Sequence, residues 1–332
     1  MRFKLNLPFS RASFPSGFWW KTLLGLLLVW LLMRQIFGSR EAKMTLDALH
    51  GQPFQPSWLW LGIAFALMPL NWYLEVLKWR NFLPWEGRPP VAHSWKAILG
   101  GIAWSFLTPN RSGEYAGRVL SAGKQERWNA AYAAVAGAYC QLLVLIGLGI
   151  PAFALFGAYR GNAEWQGWSG FIGTGLVLLA VLLAAGLFIQ PILGFLIRKV
   201  RNSFWRKWLA KAEPLRAFTR WQLAAGLALA ILRYAVYVFQ YVAMLRFSGI
   251  ALDPGKAFAG VGTIYLVQTG LPLPPALGFL ARGEIALLVW QTWPVSAVQV
   301  LTATYGLFVI NLALPALIGV LWMLRKEAPQ KG

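Results

Sequence analysis

The sequence predicts an all-α polytopic membrane protein, with about six full transmembrane helices and two re-entrant helical hairpins arranged as an inverted repeat. Three observations carry this reading. Of 332 residues, 58% are hydrophobic and only 13% charged, a composition suited to a bilayer and not to a soluble core. Apolar runs of the roughly 20 residues needed to cross a membrane recur along the chain. Between them lie two regions where the apolar run is too short to cross comfortably and is broken by proline, glycine, arginine and glutamate: Thr108-Pro-Asn-Arg-Ser-Gly-Glu114 and Pro272-Leu-Pro-Pro-Ala-Leu-Gly-Phe-Leu-Ala-Arg-Gly-Glu284. Irregular backbone and charge at membrane depth survive only where protein or a water-filled cavity surrounds them.

The elements follow in order. A basic N-terminus (Arg2, Lys4, Arg11, Lys21) precedes a first span at 18–37. Charge before an apolar run also describes a signal peptide, but the run ends without a small-x-small cleavage site, so a retained span is expected. Repeat one occupies 57–158: a span at 57–79, a hairpin near 93–122 and a span at 128–158. A linking span follows at 169–192. Repeat two occupies 221–322: a span at 221–246, a hairpin near 255–292 and a span at 294–322. The second hairpin divides into Lys256–Gly270, a break at Pro272, Pro274 and Pro275, and a return helix from Gly283 to Gln291. Trp19, Trp20, Trp58, Trp79, Trp95, Trp221 and Trp293 sit near span ends, as an interfacial aromatic belt would.

Loop charges set the topology. The N-terminus, the loop at 78–96 (Lys78, Arg80, Arg88, Lys96), residues 123–127, residues 198–220 and the C-terminus are all basic, which places them in the cytoplasm. Residues 159–168 then lie outside, as does the loop at 38–56 despite Arg40 and Lys43. These sides agree only if each hairpin enters and leaves on one face, the first from the cytoplasm and the second from outside. Lys96-Ala-Ile-Leu-Gly100 leading to Gly113-Glu114, and Lys256-Ala-Phe-Ala-Gly260 leading to Gly283-Glu284, are the matching positions of the two copies. An inverted repeat puts its substrate site between the halves near the midplane.

In the first hairpin Arg111, Glu114 and Arg118 are spaced i, i+3, i+7, which places them on one face of a short helix opened by Ser112-Gly113. In the second, Arg282 and Glu284 are expected to open the return helix. Fixed guanidinium donors, free backbone N–H groups and a carboxylate to hold the arginine fork are what a phosphate requires. The structural alternative is a set of interfacial residues snorkelling to water. Arg233, near the middle of its span, carries a charge that costs at least ~2.5–3.5 kcal/mol at membrane depth, so it is paired or lines a cavity. Asn71 and Glu75, one turn apart, are supporting residues. Glu75 could equally pair with Lys78 or Arg80, and Arg233 with Glu75, Glu114 or Glu284. Gln141, Gln240, Gln268 and Asn311 read as interhelical hydrogen bonders.

The formal charge of +20 does not indicate nucleic acid, because the basic residues cluster between apolar spans; anionic lipid headgroups fit them better. Cys140, the single cysteine, excludes an internal disulfide and reads as a small buried hydrophobe. His50 and His93 are peripheral, and no residue spacing matches a metal site, a P-loop, a dinucleotide fingerprint or a catalytic triad. No cofactor and no catalysis are therefore expected.

At the two broken stretches the chain resembles the flippase-like membrane family that includes the transmembrane region of lysylphosphatidylglycerol synthase, the multiple peptide resistance factor. Pro109-Asn-Arg-Ser-Gly-Glu-Tyr-Ala-Gly-Arg118 is similar to the family's proline–arginine–glycine–acidic stretch, and Leu271–Glu284 to its later proline- and glycine-rich stretch, with Pro275-Ala-Leu-Gly278 in place of a more glycine-rich run. The resemblance runs from about 57 to 322 and implies lipid translocation in a bacterial cytoplasmic membrane. Lipid synthesis is not implied, since no aminoacyl-transferase domain follows the last span. The expected activity is flipping of an anionic or zwitterionic phospholipid through a groove between the hairpins. The alternatives are a transporter of a polyprenyl-phosphate-linked precursor or another anion, and a non-transporting membrane assembly subunit. A membrane enzyme acting on headgroups is least favoured for want of a nucleophile–base pair. Self-association into a homo-oligomer is compatible with the sequence.

Overall fold

The computed structural model describes residues 57–86, 88–105, 113–121, 127–161, 170, 172–181, 183–184, 218–271 and 275–324. The first span, the loop at 38–56, most of 198–220, Arg111 and Pro109 lie outside them. The described chain is helical, with no strand among the described residues: α1 (Trp58–Asn81), α2 (Val91–Ser105), α3 (Gly113–Ser121), α4 (Arg127–Arg160), α5 (Ile172–Val181), α6 (Arg220–Phe247), α7 (Pro254–Gly270), α8 (Pro275–Trp290), α9 (Ala297–Phe308) and α10 (Leu314–Leu324). A single π-helical turn, Val309–Ala313, joins α9 to α10, and the three run together as one 26-residue span, Ala297–Trp322. With α1, α4 and α6 this makes four helices long and apolar enough to cross a bilayer, matching the expected spans at 57–79, 128–158, 221–246 and 294–322. The protein is an all-α polytopic membrane protein.

Local chemistry starts the helices where they start. Thr219 caps α6 by accepting from the Gln222 backbone N–H at 3.1 Å, while the Gln222 side chain accepts from the Thr219 N–H at 2.9 Å. Asp253 caps α7 at the Lys256 N–H, 3.0 Å away, with Pro254 as the first helical residue. That hydrogen bond holds the exposed Asp253 carboxyl below its ordinary pKa. The return helix of the second hairpin begins at Pro275 and not at Gly283 as the sequence suggested. Proline suits a first helical turn, since its missing N–H would find no helical partner there anyway. Arg282 and Glu284 are consequently mid-helix residues, two positions apart and on opposite faces.

The long helices α1 and α6 pack along each other. The hairpins make contacts both between the halves of the chain and within them. α2 of the first hairpin lies against α10, and α7 of the second lies against α4, while α3 and α8 return onto α4 and α9 respectively. The apolar core divides accordingly, one cluster around Trp72, Phe82, Ile98 and Tyr305 and a second around Tyr241, Met244, Val261 and Trp290. Trp79 and Trp293, expected in the interfacial belt, are core residues at 2% and 8% exposure. The reason is a partner for each: Trp79 donates its indole N–H to the Ala130 carbonyl, and Trp293 packs on Phe156, Tyr159 and Trp290. Trp58 and Trp221 are exposed, as belt residues are.

Glycine sets the closest approach. α2 and α3 meet backbone to backbone, Gly117 lying on Gly101, and a Cβ built on Gly101 would stand 2.7 Å from the Glu114 carbonyl oxygen. Small residues are what allow such contact between membrane helices. Gly101→Val is therefore expected to push α3 away and destabilise the protein by about 1–3 kcal/mol, as overpacking typically does. A lowered unfolding midpoint of the purified variant in detergent checks this, and an unchanged midpoint refutes it.

Candidate functional site

The side chain of Glu75 on α1 lies at the centre of three cations. Its Oε2 accepts from Lys78 Nζ at 2.7 Å and from Arg233 at 2.6 Å, and its Oε1 accepts from Arg118 at 2.7 Å. All four residues are buried, with exposures of 4% for Glu75, 1% for Lys78, 4% for Arg118 and 8% for Arg233. The cluster draws on three elements. Lys78 comes from the turn after Glu75, Arg118 from the return helix of the first hairpin, and Arg233 from the midpoint of α6.

Lys78 and Arg233 are held by more than their charge. Lys78 also donates to Gln141 on α4 at 3.0 Å. Arg233 donates through Nε to Asn71 at 2.9 Å and through its third nitrogen to the Tyr237 hydroxyl at 3.1 Å, and its guanidinium lies over the Trp72 and Tyr237 rings. Asn71 continues the chain inward. It donates to Asn311 at 3.3 Å, and Asn311 and Gln240 donate to each other at 3.0 and 3.1 Å. Asn311 sits in the π turn, so the one irregular turn of that span carries the residue that closes the network. Gln240 also donates to the Ala64 carbonyl at 3.0 Å.

The cluster forms one wall of a cavity of about 770 Å³, within the usual range for small-molecule sites. Both hairpins line it. Glu114 and Arg118 come from the first, and Tyr265, Gln268 and Arg282 from the second; Tyr234 and Tyr237 of α6 close one side. Glu114 of the first broken stretch and Arg282 of the second thus face a common space. Arg282, half-buried, also lies over the Phe308 ring.

Of the eight site residues expected from sequence, Asn71, Glu75, Glu114, Arg118, Arg233 and Arg282 are brought to the cavity or to the network behind it. Glu284 is not. It is exposed on the other face of α8 and does not line the cavity. Its neighbour Gly283 packs inward against Tyr305. Arg111 lies outside the described residues. Lys78, expected as a cytoplasmic loop charge, is instead a fully helical buried member of the cluster, because α1 runs on to Asn81. The signal was present: Asn71, Glu75 and Lys78 fall at i, i+4, i+7 and so share one face. Glu75, placed among the supporting residues, is the centre of the site.

Removing one partner from a buried ion pair costs about 3–5 kcal/mol, because the charge left behind is uncompensated. Glu75→Gln is expected to destabilise by that order. Glu75→Gln combined with Arg233→Gln should lose less than the two single losses added together. Thermal or denaturant unfolding of the three variants measures the coupling; strict additivity would contradict the geometry.

The family model described as the lysylphosphatidylglycerol synthase TM region matches residues 18–319, nearly the whole chain. Neither a curated protein nor a solved structure matches. A membrane domain of crossing helices, with Glu75, Lys78, Glu114, Arg118, Arg233 and Arg282 lining a cavity, fits that description, and the chain belongs to the lysylphosphatidylglycerol synthase transmembrane-region family.

Proposed function

We propose that this protein moves an anionic or zwitterionic phospholipid between the leaflets of a bacterial cytoplasmic membrane, the headgroup passing through the cavity between the hairpins while the acyl chains stay in lipid. The observation that carries the reading is the cavity itself, lined by Arg118, Arg233, Arg282 and Lys78 and reached by Glu114 of the first broken stretch and Arg282 of the second. Ionised residues inside a membrane domain are costly and gather at substrate paths. Among the described residues the cations lining the cavity outnumber the carboxylates, which suits a phosphate.

The packing supports a repeat. Each hairpin docks on the last span of the other half, α2 on α10 and α7 on α4, about the paired helices α1 and α6. This reciprocity is what an inverted repeat produces, and alternating access in such folds rocks one unit against the other around a central site. A non-transporting assembly subunit has no use for a polar cavity that reaches Arg233. The reading assigns no covalent step and no cofactor to the chain; its partner is the lipid.

Flipping of a fluorescent phospholipid in proteoliposomes tests the proposal. Arg118→Ala should slow the rate by about tenfold or more, since a charge-assisted contact to phosphate is worth on the order of 1.5–3 kcal/mol. Lys256→Gln, which alters only an exposed pair with Asp253, should leave the rate unchanged. A folded Arg118→Ala protein that flips lipid at the original rate would remove the cavity from the mechanism.

A further inference from the structure

Tyr237 follows Arg233 by one turn of α6, at i, i+4, so the two side chains share a face. Both residues line the cavity. Their contact is double. The Arg233 guanidinium carbon lies 5.2 Å from the centre of the Tyr237 ring, and Arg233 donates to the Tyr237 hydroxyl at 3.1 Å. The direction of that bond decides what the hydroxyl can do. A guanidinium has no acceptor, so the pairing leaves the phenolic proton unused. No hydrogen bond among the described residues uses it. Arg233, by contrast, is engaged at every nitrogen: Nε with Asn71, one terminal nitrogen with Glu75 and the other with Tyr237.

A hydroxyl that accepts from a cation donates more strongly, because hydrogen bonds in a chain polarise one another. The pull of Arg233 therefore reaches the cavity through the Tyr237 O–H. Tyr265, on α7 of the second hairpin, steadies this donor. Its ring meets the Tyr237 ring edge to face with centroids 5.9 Å apart, and its hydroxyl donates to the Tyr237 carbonyl at 3.3 Å. A donor held in place before the ligand arrives loses little freedom on binding. The acceptor it suits is an anionic oxygen, since charge-assisted bonds are the strong ones and Arg118 lines the same cavity. A headgroup ammonium has no lone pair with which to accept. We infer that the Tyr237 hydroxyl is a substrate-contacting donor that binds a phosphate oxygen of the lipid. This rests on the translocation reading and adds to it a binding residue and the ligand atom it takes.

Binding isotherms of the purified full chain in neutral detergent test the contact. Dioleoyl phosphatidylglycerol is the probe, and dioleoylglycerol, which lacks the phosphate, is the control. Tyr237→Phe keeps the ring against Tyr265 and the carbonyl that Tyr265 bonds, so it should fold. It should weaken phosphatidylglycerol binding about tenfold, as loss of a hydrogen bond to a charged group does, and leave dioleoylglycerol binding unchanged. A hydroxyl that only steadied Arg233 would give a similar loss, so a second variant separates the two roles. Tyr237→3-fluorotyrosine donates more strongly than tyrosine and accepts less well. At mildly acidic pH, where either free phenol keeps its proton, it should bind phosphatidylglycerol more tightly than the original protein. Unchanged or weaker binding by the fluorotyrosine protein, or unchanged binding by Tyr237→Phe, overturns the inference and leaves translocation standing. Equal affinity of the original protein for the two lipids overturns both. Inorganic phosphate as competitor separates the sources. Displacement of the lipid at equal concentration assigns the hydroxyl to a free phosphate and overturns translocation; no displacement keeps it with the lipid.

Discussion

One buried carboxylate organises this molecule. Glu75 takes hydrogen bonds from Lys78, Arg118 and Arg233 within 2.6–2.7 Å, in a place that water hardly reaches. None of these cations could remain at that depth alone. Their joint demand for one anion decides where three elements must sit: α1 supplies the anion, α6 lies along it so that Arg233 can reach, and α3 folds back so that Arg118 can. Such clusters contribute less to net stability than their geometry suggests, because desolvation offsets most of the attraction. What they enforce is register. A slip of one residue in α6 would turn Arg233 away from Glu75 and also break its bonds to Asn71 and Tyr237.

The same constraint extends into a chain of polar residues in the interior. Arg233 fixes Asn71, and Asn71 fixes Asn311 and Gln240. An apolar residue at any one of these positions would remove a hydrogen-bond partner from its neighbours, and a partly satisfied network is worse than none. The π turn is the backbone's contribution: its extra residue brings Asn311 to face Asn71 and Gln240. The hairpins then complete the enclosure, with glycine at Gly101 and Gly117 permitting α3 to lie close enough for Arg118 to reach the cluster.

Much of this was legible in the residues. Length and continuity of apolar runs locate the four described spans, and the proline–glycine breaks fall between α2 and α3 and between α7 and α8, because neither signal depends on distant contacts. The placement of Arg118, Arg233 and Glu114 around a cavity follows from the cost of charge in a membrane. What could not be read depends on tertiary partners or on a helix boundary. Lys78 looked like a loop charge because a basic residue near a span end is normally outside, and only the continuation of α1 to Asn81 places it within. Trp79 and Trp293 looked interfacial because belt and core tryptophans are alike in sequence until a partner is found. Arg282 and Glu284 looked like a pair because they are near neighbours; starting α8 at Pro275 sets them on opposite sides, and only the arginine meets the cavity.

The crossed docking of the hairpins has a consequence for how the protein is made. α2 is among the first described helices to be synthesised, yet the surface it packs against, α10, is the last. α7 finds α4 already in place. The two halves therefore mature unequally. The later hairpin can dock as it emerges, whereas the earlier one must wait in the bilayer with the face of α2 that α10 will cover still open. Closure over so long a stretch of chain is entropically slow, so completion of the fold falls at the end of translation, when the final span enters the membrane.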